Sequence, residues 1–469
     1  MKILSISTQK PHSTGSGTYL SELVRSFERM GHEQAVVAGI YPSDAVEFPK
    51  SVKFYPVYYT PPEVSESEND ALRTLTFRTN ALGTSVSENT SGIDTAGTFS
   101  PRDTSVPTIH FPVLGMSDTM PYPSTRYSEL TASQLQELEA AFTAVVAHAI
   151  QDLQPDIILC HHLFLLTAIL RKNFPSERIY GLCHGSDLRQ MYNLMNEDAG
   201  YGKNTFTAAE ISGAIQKLDQ IFALHKEQKQ QIMKYFSVPS EQVSVIGTGY
   251  NDSIFCPVSK DNKEDCGKSF DSNKPFRFIF AGKICREKGI AELLQALQLL
   301  KQEIENSAAF ELHLAGGCKD SMIESMLTHQ SLAPGWLHSY DYPICYHGLL
   351  NQHELADLYR HCDAFVLPSY YEGLPLVLIE AMACGLSTLC NDLPGVQNWL
   401  SEEIPHCNTI FVSLPRMKSA DQPEADDLPD YIFRLKEALK ELWVSTARNG
   451  SPCPDTSGAT WDAVAKRIL

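Results

Sequence analysis

Two glutamates eight residues apart, Glu372 and Glu380, occupy the setting in this chain that most demands chemistry. The run from Leu374 to Leu386 is almost wholly apolar, yet Glu380 sits in its middle. Such a run reads as a buried helix, with Pro375 suited to its first turn and Gly385 to its C-terminal cap. An unpaired carboxylate buried there is costly, so Glu380 is expected to find a polar partner or to face a polar cavity. Glu372 falls in the loop before that helix, and the strand-like segment Ala364–Pro368 leads into the loop. Strand, glycine loop and helix N-terminus together hold phosphates on backbone N–H groups. Two acids framing such a turn suit a ligand with many hydroxyls attached to a phosphate, which describes a nucleotide sugar. A lone glutamate on a helix more often marks a solvated face; here the apolar flanks remove that face.

Four further groups have suitable types and spacing. In Phe280-Ala-Gly282-Lys283-Ile-Cys-Arg-Glu-Lys288-Gly289 two lysines lie in a strand-to-helix loop, as point charges for a diphosphate. A lysine at a helix start opposes the helix dipole, which favours a ligand role over a surface charge cluster. Gly15-Ser-Gly17-Thr18 follows the first strand and opens a helix, although it is not a full dinucleotide fingerprint and a tight turn would explain it equally well. His184, in Cys183-His-Gly-Ser-Asp187, directly follows a strand, a common way to present an imidazole to a ligand. His161 and His162 are weaker candidates of the same kind. The segment Phe111–Tyr127, with Met116, Asp118, Met120, Tyr122, Arg126 and Tyr127, reads as an ordered loop able to offer a hydrophobic wall and polar anchors.

The elements that must position these residues alternate regularly in the C-terminal half. Strands are expected at Arg277–Ala281, Glu311–Ala315, Ile344–His347, Ala364–Leu367 and Ser387–Cys390. Helices fall between them around Lys288–Lys301, Ser321–Thr328 and Gln352–His361, followed by the helix that holds Glu380. Alternation of this kind means βαβ units and a doubly wound parallel sheet, with ligands at the strand C-termini. The N-terminal half repeats the theme with strands Ile3–Ser7, Gln34–Ala38, Asp156–Cys160, Arg178–Cys183, Gln220–Leu224 and Gln242–Ile246. Its helices are Tyr19–Met30, Ser133–Asp152, Leu163–Lys172 and Lys226–Phe236, and Thr131-x-x-Gln134 forms a capping box. The expected organisation is an N-terminal domain over 1–255 with an insertion over 42–130, and a C-terminal domain over 256–456. The polar run Ser259–Pro275 serves as linker. In a final helix over 457–469, Trp461, Val464, Ala465 and Ile468 share one face, and the fold that the chain resembles, named below, has such a helix cross back to the N-terminal domain. Residues from about Pro61 to Pro107 look like a polar surface excursion.

Length and composition bound the class. At 469 residues the chain exceeds one compact core. A formal charge of −18 argues against a dedicated nucleic-acid binder and weighs against docking on anionic membranes. No apolar run reaches the ~18 residues of a membrane span, and the start is too polar for a signal peptide. The 12 cysteines show no Cys-x-x-Cys pair and no Cys/His metal spacing, so reduced thiols in the cytoplasm are expected.

Taken together, Gly15–Thr18, Pro155–His162, His184–Asp187, Val245–Asn251, Gly282-Lys283…Lys288-Gly289 and Glu372-x7-Glu380 resemble the retaining glycosyltransferases of family 4, with the GT-B fold of two Rossmann-like domains facing across a cleft. The resemblance implies transfer of a sugar, by front-face attack with retention, from a nucleotide-diphosphate sugar, most commonly UDP-linked. The acceptor would be a glycan, lipid or small molecule. It implies that Glu372 binds donor-sugar hydroxyls and Glu380 the ribose, and that Lys283, Lys288 and the Gly373 and Leu374 backbone hold the diphosphate. His184 would lie near the reacting carbon. Gly15, Gly17, Thr18, Gly282, Pro375 and Leu376 would add donor contacts, and Tyr346-His347-Gly348 would seat the base. Acceptor contacts would come from the N-terminal half, with His162, Asp187, Tyr122 and Arg126 as candidates. Two departures stand out: Lys283 where the family often has Arg, and Thr248-Gly-Tyr-Asn251 for its usual Asn-Gly-Val-Asp. No Asp-x-Asp is present, so a metal-independent site without a cofactor is expected, its lysines neutralising the diphosphate. An epimerase or phosphorylase on the same fold, a non-catalytic nucleotide-sugar binder and a nicotinamide oxidoreductase are the alternatives.

Overall fold

Short apolar strands alternating with amphipathic helices build two separate parallel sheets. The computed structural model describes residues 1–62, 108–116, 120, 122–196, 206–257, 274–304, 310–328, 332–419, 421–451 and 454–469. The polar excursion, Asp118 and nearly all of the expected linker lie outside them.

The first sheet contains β1 (Lys2–Ser7), β2 (Glu33–Ile40), β3 (Lys53–Tyr59) and β4 (Thr108–Ile109), while β5 (Leu114–Gly115) and β6 (Thr125–Arg126) form a small parallel pair of their own. β7 (Ile157–His161), β8 (Ile179–Leu182), β9 (Gln220–Ala223) and β10 (Val243–Val245) complete it in the order β10-β9-β8-β7-β1-β2-β3-β4. Ile3, Leu4 and Ile6 of β1, at the centre, are fully buried. Helix Gly15–Arg29 starts where the Thr14 side chain accepts the Gly17 N–H at 3.2 Å. Helix Ala132–Leu153 opens on the expected capping box: Gln134 N donates to Thr131 Oγ1 at 3.3 Å and Thr131 N to Gln134 Oε1 at 2.9 Å. The insertion expected over 42–130 therefore needs correcting, because β3 and β4 are integral strands of the sheet. β3 pairs along β2 from Ala35↔Lys53 to Ile40↔Tyr58. Pro56 interrupts its strand pattern in the sequence.

The second sheet consists of β11 (Phe276–Ala281), β12 (Phe310–Ala315), β13 (Gly335–Leu337), β14 (Ile344–Gly348), β15 (Ala364–Leu367), β16 (Ser387–Asn391) and β17 (Ile410–Val412), ordered β13-β14-β12-β11-β15-β16-β17. All neighbours are parallel except β13, which runs antiparallel to β14. The exits of β11, β12, β14 and β15 thus share one edge of the sheet. Helices Val396–Glu403 and Leu428–Asn449 extend the series beyond the strand at which the sequence pattern stops.

By contacts the chain divides into two compact units, Met1–Ile221 with Lys234–Gln242, and Phe222–Met233 with Val243–Leu469. The division falls earlier than residue 256 for a visible reason. Ile254 and Cys256 carbonyls accept from the Arg360 guanidinium at 2.5 and 3.0 Å. The last helix, Trp461–Ile468, buries Trp461, Val464, Ala465 and Ile468. Trp461 N donates to Tyr250 O at 3.3 Å, and Arg467 bonds Ile246 O at 2.9 Å and Glu403 at 2.5 Å. The stretch Ile246–Tyr250 consequently groups with the second unit.

Candidate functional site

In the second unit the site grows out of the two turns that follow β11 and β15. After β11 the chain makes a 3-10 turn, Arg286–Lys288, and Gly289 at φ 67° starts helix Ile290–Glu303, so Lys288 precedes that helix rather than opening it. A Cβ on Gly289 would lie 2.2 Å from the Pro368 carbonyl oxygen, so only glycine allows this turn to pack on the exit of β15. Tyr370 N donates to Glu287 O at 3.2 Å across the same junction. The two turns thereby bring Lys288 Nζ to 2.5 Å from Glu372 Oε1, with both side chains about four-fifths buried. Two residues expected to serve one ligand are in direct contact.

Behind them, helix Leu376–Ala383 starts just after Pro375, which holds the N-cap position rather than the first turn, and closes on Gly385 at φ 81°. Leu386 N donates to Ala381 O at 3.1 Å and Gly385 N to Met382 O at 2.9 Å, the Schellman pattern. Glu380 is 7% exposed, as its apolar flanks require, and its charge adds to burial in raising the pKa of the nearby Tyr359 hydroxyl. Asn391, at the end of β16, escaped the sequence reading. Its Nδ2 donates to the carbonyls of Pro368 and Ser369 at 2.9 and 3.1 Å, and Tyr431 Oη donates to its Oδ1 at 2.9 Å. These bonds hold the turn that carries Glu372. Next door, Gly316 N donates to Gly348 O at 2.7 Å, Gly282 N donates to Ala315 O at 2.9 Å, and a Cβ on Gly316 would come within 1.8 Å of the Gly282 oxygen. Three strand exits are therefore lined by bare backbone.

The His347 side chain meets a histidine of the neighbouring strand. Its Nε2 lies 2.9 Å from His313 Nδ1 on the face of β12 and β14. Cys345 joins them, so three metal-competent side chains gather where the sequence showed no metal spacing. The available signal was Cys345-x-His347, two residues apart on one face of a strand.

The first unit gathers the histidines. His161 Nδ1 and His184 Nε2 are 3.1 Å apart with their rings stacked at 5.2 Å, and Tyr19 meets His184 edge-on at 5.1 Å. His162 adopts φ 79°, and neither of its ring nitrogens finds a hydrogen-bond partner among the described residues. Strain and an unsatisfied buried ring at a strand end are features of functional positions. Burial and the neighbouring imidazoles hold His184 well below the ordinary histidine pKa, and His161 is lowered to about 3.

Among the expected acceptor residues, Asp187 needs correcting. It is fully buried, and its carboxylate accepts from Leu163 N at 2.8 Å and from His184 N at 3.2 Å. It positions the His184 turn and has no surface for an acceptor. Gly17 and Thr18 lie in the first helical turn, where a Cβ on Gly17 would meet Lys10 O at 2.6 Å. Tyr122 stacks under Lys10 Nζ at 4.9 Å, beside the 2.5 Å Lys10–Asp44 pair. Arg126 is exposed, 3.7 Å from Glu129. Met116 and Tyr127 are core residues, 2% and 3% exposed, so the loop's hydrophobic wall is in good part interior packing. A groove of about 1030 Å³, lined by Leu165, Ile169, Arg171, Phe206 and Ala209 among others, contains none of the expected site residues.

Residues 261–405 match the family described as Glycosyl transferases group 1. The fold is GT-B, and residues 261–405 are similar in sequence to the group 1 glycosyltransferases. The chain is 26% identical to the serotype-specific mannosyltransferase WbdA of Escherichia coli over 310 residues, 64% of this chain and 36% of that protein. It thus spans well under two thirds of that relative's length. Sucrose-phosphate synthase from Thermosynechococcus elongatus superposes with a TM-score of 0.55 at 14% identity, covering 100% of this chain and 97% of that one. HepE of Anabaena, solved in complex with UDP-glucose, gives 0.50 at 12% identity, covering 100% and 95%. No helix among the described residues is long and apolar enough to cross a membrane.

Proposed function

We propose that the chain is a retaining glycosyltransferase that moves a hexosyl group from a nucleoside-diphosphate sugar, UDP-linked in the first instance, to a glycan, lipid or small-molecule acceptor. The Lys288–Glu372 pair carries this reading: a cation suited to a diphosphate and a carboxylate suited to sugar hydroxyls meet at one glycine-lined turn, inside the matched segment. The bound UDP-glucose of the Anabaena relative supports the donor class.

In the proposed reaction the acceptor oxygen attacks the anomeric carbon from the face the diphosphate leaves. The bond from that carbon to the phosphate oxygen breaks, and the acceptor's proton passes to the departing phosphate. Lys283 and Lys288 neutralise the charge that builds on the leaving group, and stabilisation of this kind usually lowers the barrier more than any other effect. Glu372 orients the sugar, Glu380 engages the ribose, and His184 serves the transfer step. The lysines do this without a divalent cation. A cytoplasmic setting belongs to the same reading, supported by ten free cysteines among the described residues.

The test is a panel of UDP- and GDP-sugars, followed by release of nucleoside diphosphate and by the anomeric configuration of the product. Transfer with retention, unchanged after chelation, is the expected result. Interconversion of the nucleotide sugar without an acceptor would point to an epimerase. Activity lost to chelator and restored by Mg²⁺ or Mn²⁺ would overturn the metal-free step.

A further inference from the structure

β12 and β14 run parallel, with His313 paired opposite Cys345 in register. Residues two apart on a strand share a face, so Cys345 and His347 both project where His313 does. One donor atom from each of these three side chains lies within 4.8 Å of the other two. Tetrahedral zinc with two nitrogens and a sulfur sets its donors about 3.3–3.8 Å apart, between the 2.9 Å that separates the two imidazole nitrogens and the 4.8 Å that bounds the whole set.

The surroundings prepare His313 for such a role. Its Nε2 lies 3.1 Å from Glu311 Oε1, and that same oxygen accepts the Arg277 Nε–H at 2.6 Å. A carboxylate held by an arginine accepts the Nε2–H hydrogen bond and so fixes the tautomer that leaves Nδ1 with a bare lone pair, directed at His347 Nε2 2.9 Å away. Carboxylate, imidazole and open nitrogen in this order are what surrounds metal-bound histidines. Trp336, opposite Cys345 on β13, places its ring 5.9 Å from that of His313 and covers one side of the cluster. His313 is buried, while Cys345 and His347 are partly exposed, which leaves an entry path.

We propose that His313, Cys345 and His347 form a binding site for a borderline-soft divalent cation, Zn²⁺ before all others. Two imidazoles and a thiolate select against Mg²⁺ and Ca²⁺, which require oxygen donors. Binding displaces the Cys345 thiol proton to solvent and leaves a fourth position for water. The ion clips β14 to β12, and it is independent of the diphosphate chemistry proposed for Lys283 and Lys288.

Chelator-stripped full-length protein is titrated with Co²⁺ and then Zn²⁺. The expected result is one Co²⁺ per chain with a thiolate-to-cobalt charge-transfer band in the near ultraviolet, bleached by Zn²⁺. Cys345→Ser removes the band, and His347→Gln weakens binding by about tenfold or more. In the unaltered protein, Zn²⁺ slows alkylation of Cys345 by iodoacetamide, read peptide by peptide in the mass spectrometer. A band that is absent, or one that survives Cys345→Ser and so marks an adventitious ion, would overturn the proposal, as would Cys345 labelling indifferent to Zn²⁺.

Discussion

Lys288 Nζ and Glu372 Oε1 stand 2.5 Å apart although 84 residues separate them in the chain. The contact exists because Gly289 lets the exit of β11 press on the Pro368 carbonyl at the exit of β15, while Asn391 pins that second turn from β16. A cation suited to phosphate and an anion suited to hydroxyls are thus held side by side before any ligand arrives. Such preorganisation spares the site the reorganisation that charge stabilisation would otherwise require.

The two partners are expected to separate in their effects. Lys288→Ala should lower turnover by about a hundredfold or more, the scale of losing one donor to a developing oxyanion, and should weaken binding of free UDP or GDP. Glu372→Gln should collapse turnover and leave free-nucleotide affinity within a few-fold. Calorimetry on the free nucleotides together with steady-state rates checks both, and a large affinity loss in Glu372→Gln would contradict the assignment.

Glu380 is buried in helix Leu376–Ala383, and its proposed partner is the ribose. Glu380→Gln should weaken nucleoside diphosphate binding by about tenfold, the worth of a charged hydrogen bond. It should also erase discrimination against the deoxyribose analogue. Equal affinity in mutant and parent for the ribose nucleotide would remove Glu380 from the site.

Glycine substitutions should divide by geometry. Gly289→Ala meets a backbone oxygen at 2.2 Å and keeps a φ of 67°, so a loss of about 3 kcal/mol or more is expected in urea unfolding. Gly213→Ala, inside helix Ala208–Ile215 with nothing within 4 Å of its new methyl, should instead stabilise by about 0.5–1 kcal/mol.

Acid should destabilise the histidine cluster. His161, His162 and His184 all have lowered pKa values, chiefly through burial. Below about pH 6.5 the unfolded chain binds protons that the folded chain refuses. Their contribution is therefore complete above pH 6.5 and is lost as pH falls towards the folded values, about 3 for His161. Each histidine should cost on the order of 1 kcal/mol per pH unit in that window. Urea midpoints at pH 7.5 and 5.5 should differ less in His161→Gln than in the parent, and identical differences would refute this.

Much of this protein was legible along the chain. A run of apolar residues around one carboxylate announced a buried helix, and Glu380 is 7% exposed in such a helix. Thr131 and Gln134 announced a helix start, and Gly385 a helix end. These features follow from periodicity and capping, which act over a few residues and can be read from neighbours. What the tertiary structure decided was which distant residues meet. Strand order sets His313 beside Cys345 and His347 and brings Asn391 under the turn of Glu372. Asp187, polar and well placed in sequence, turned out to be consumed by the backbone of Leu163 and His184. β3 hid behind Pro56, and the last helix claimed Ile246–Tyr250 from across the chain. Local pattern specifies each element, but partnership between elements depends on crossovers and close approaches that only the folded chain makes.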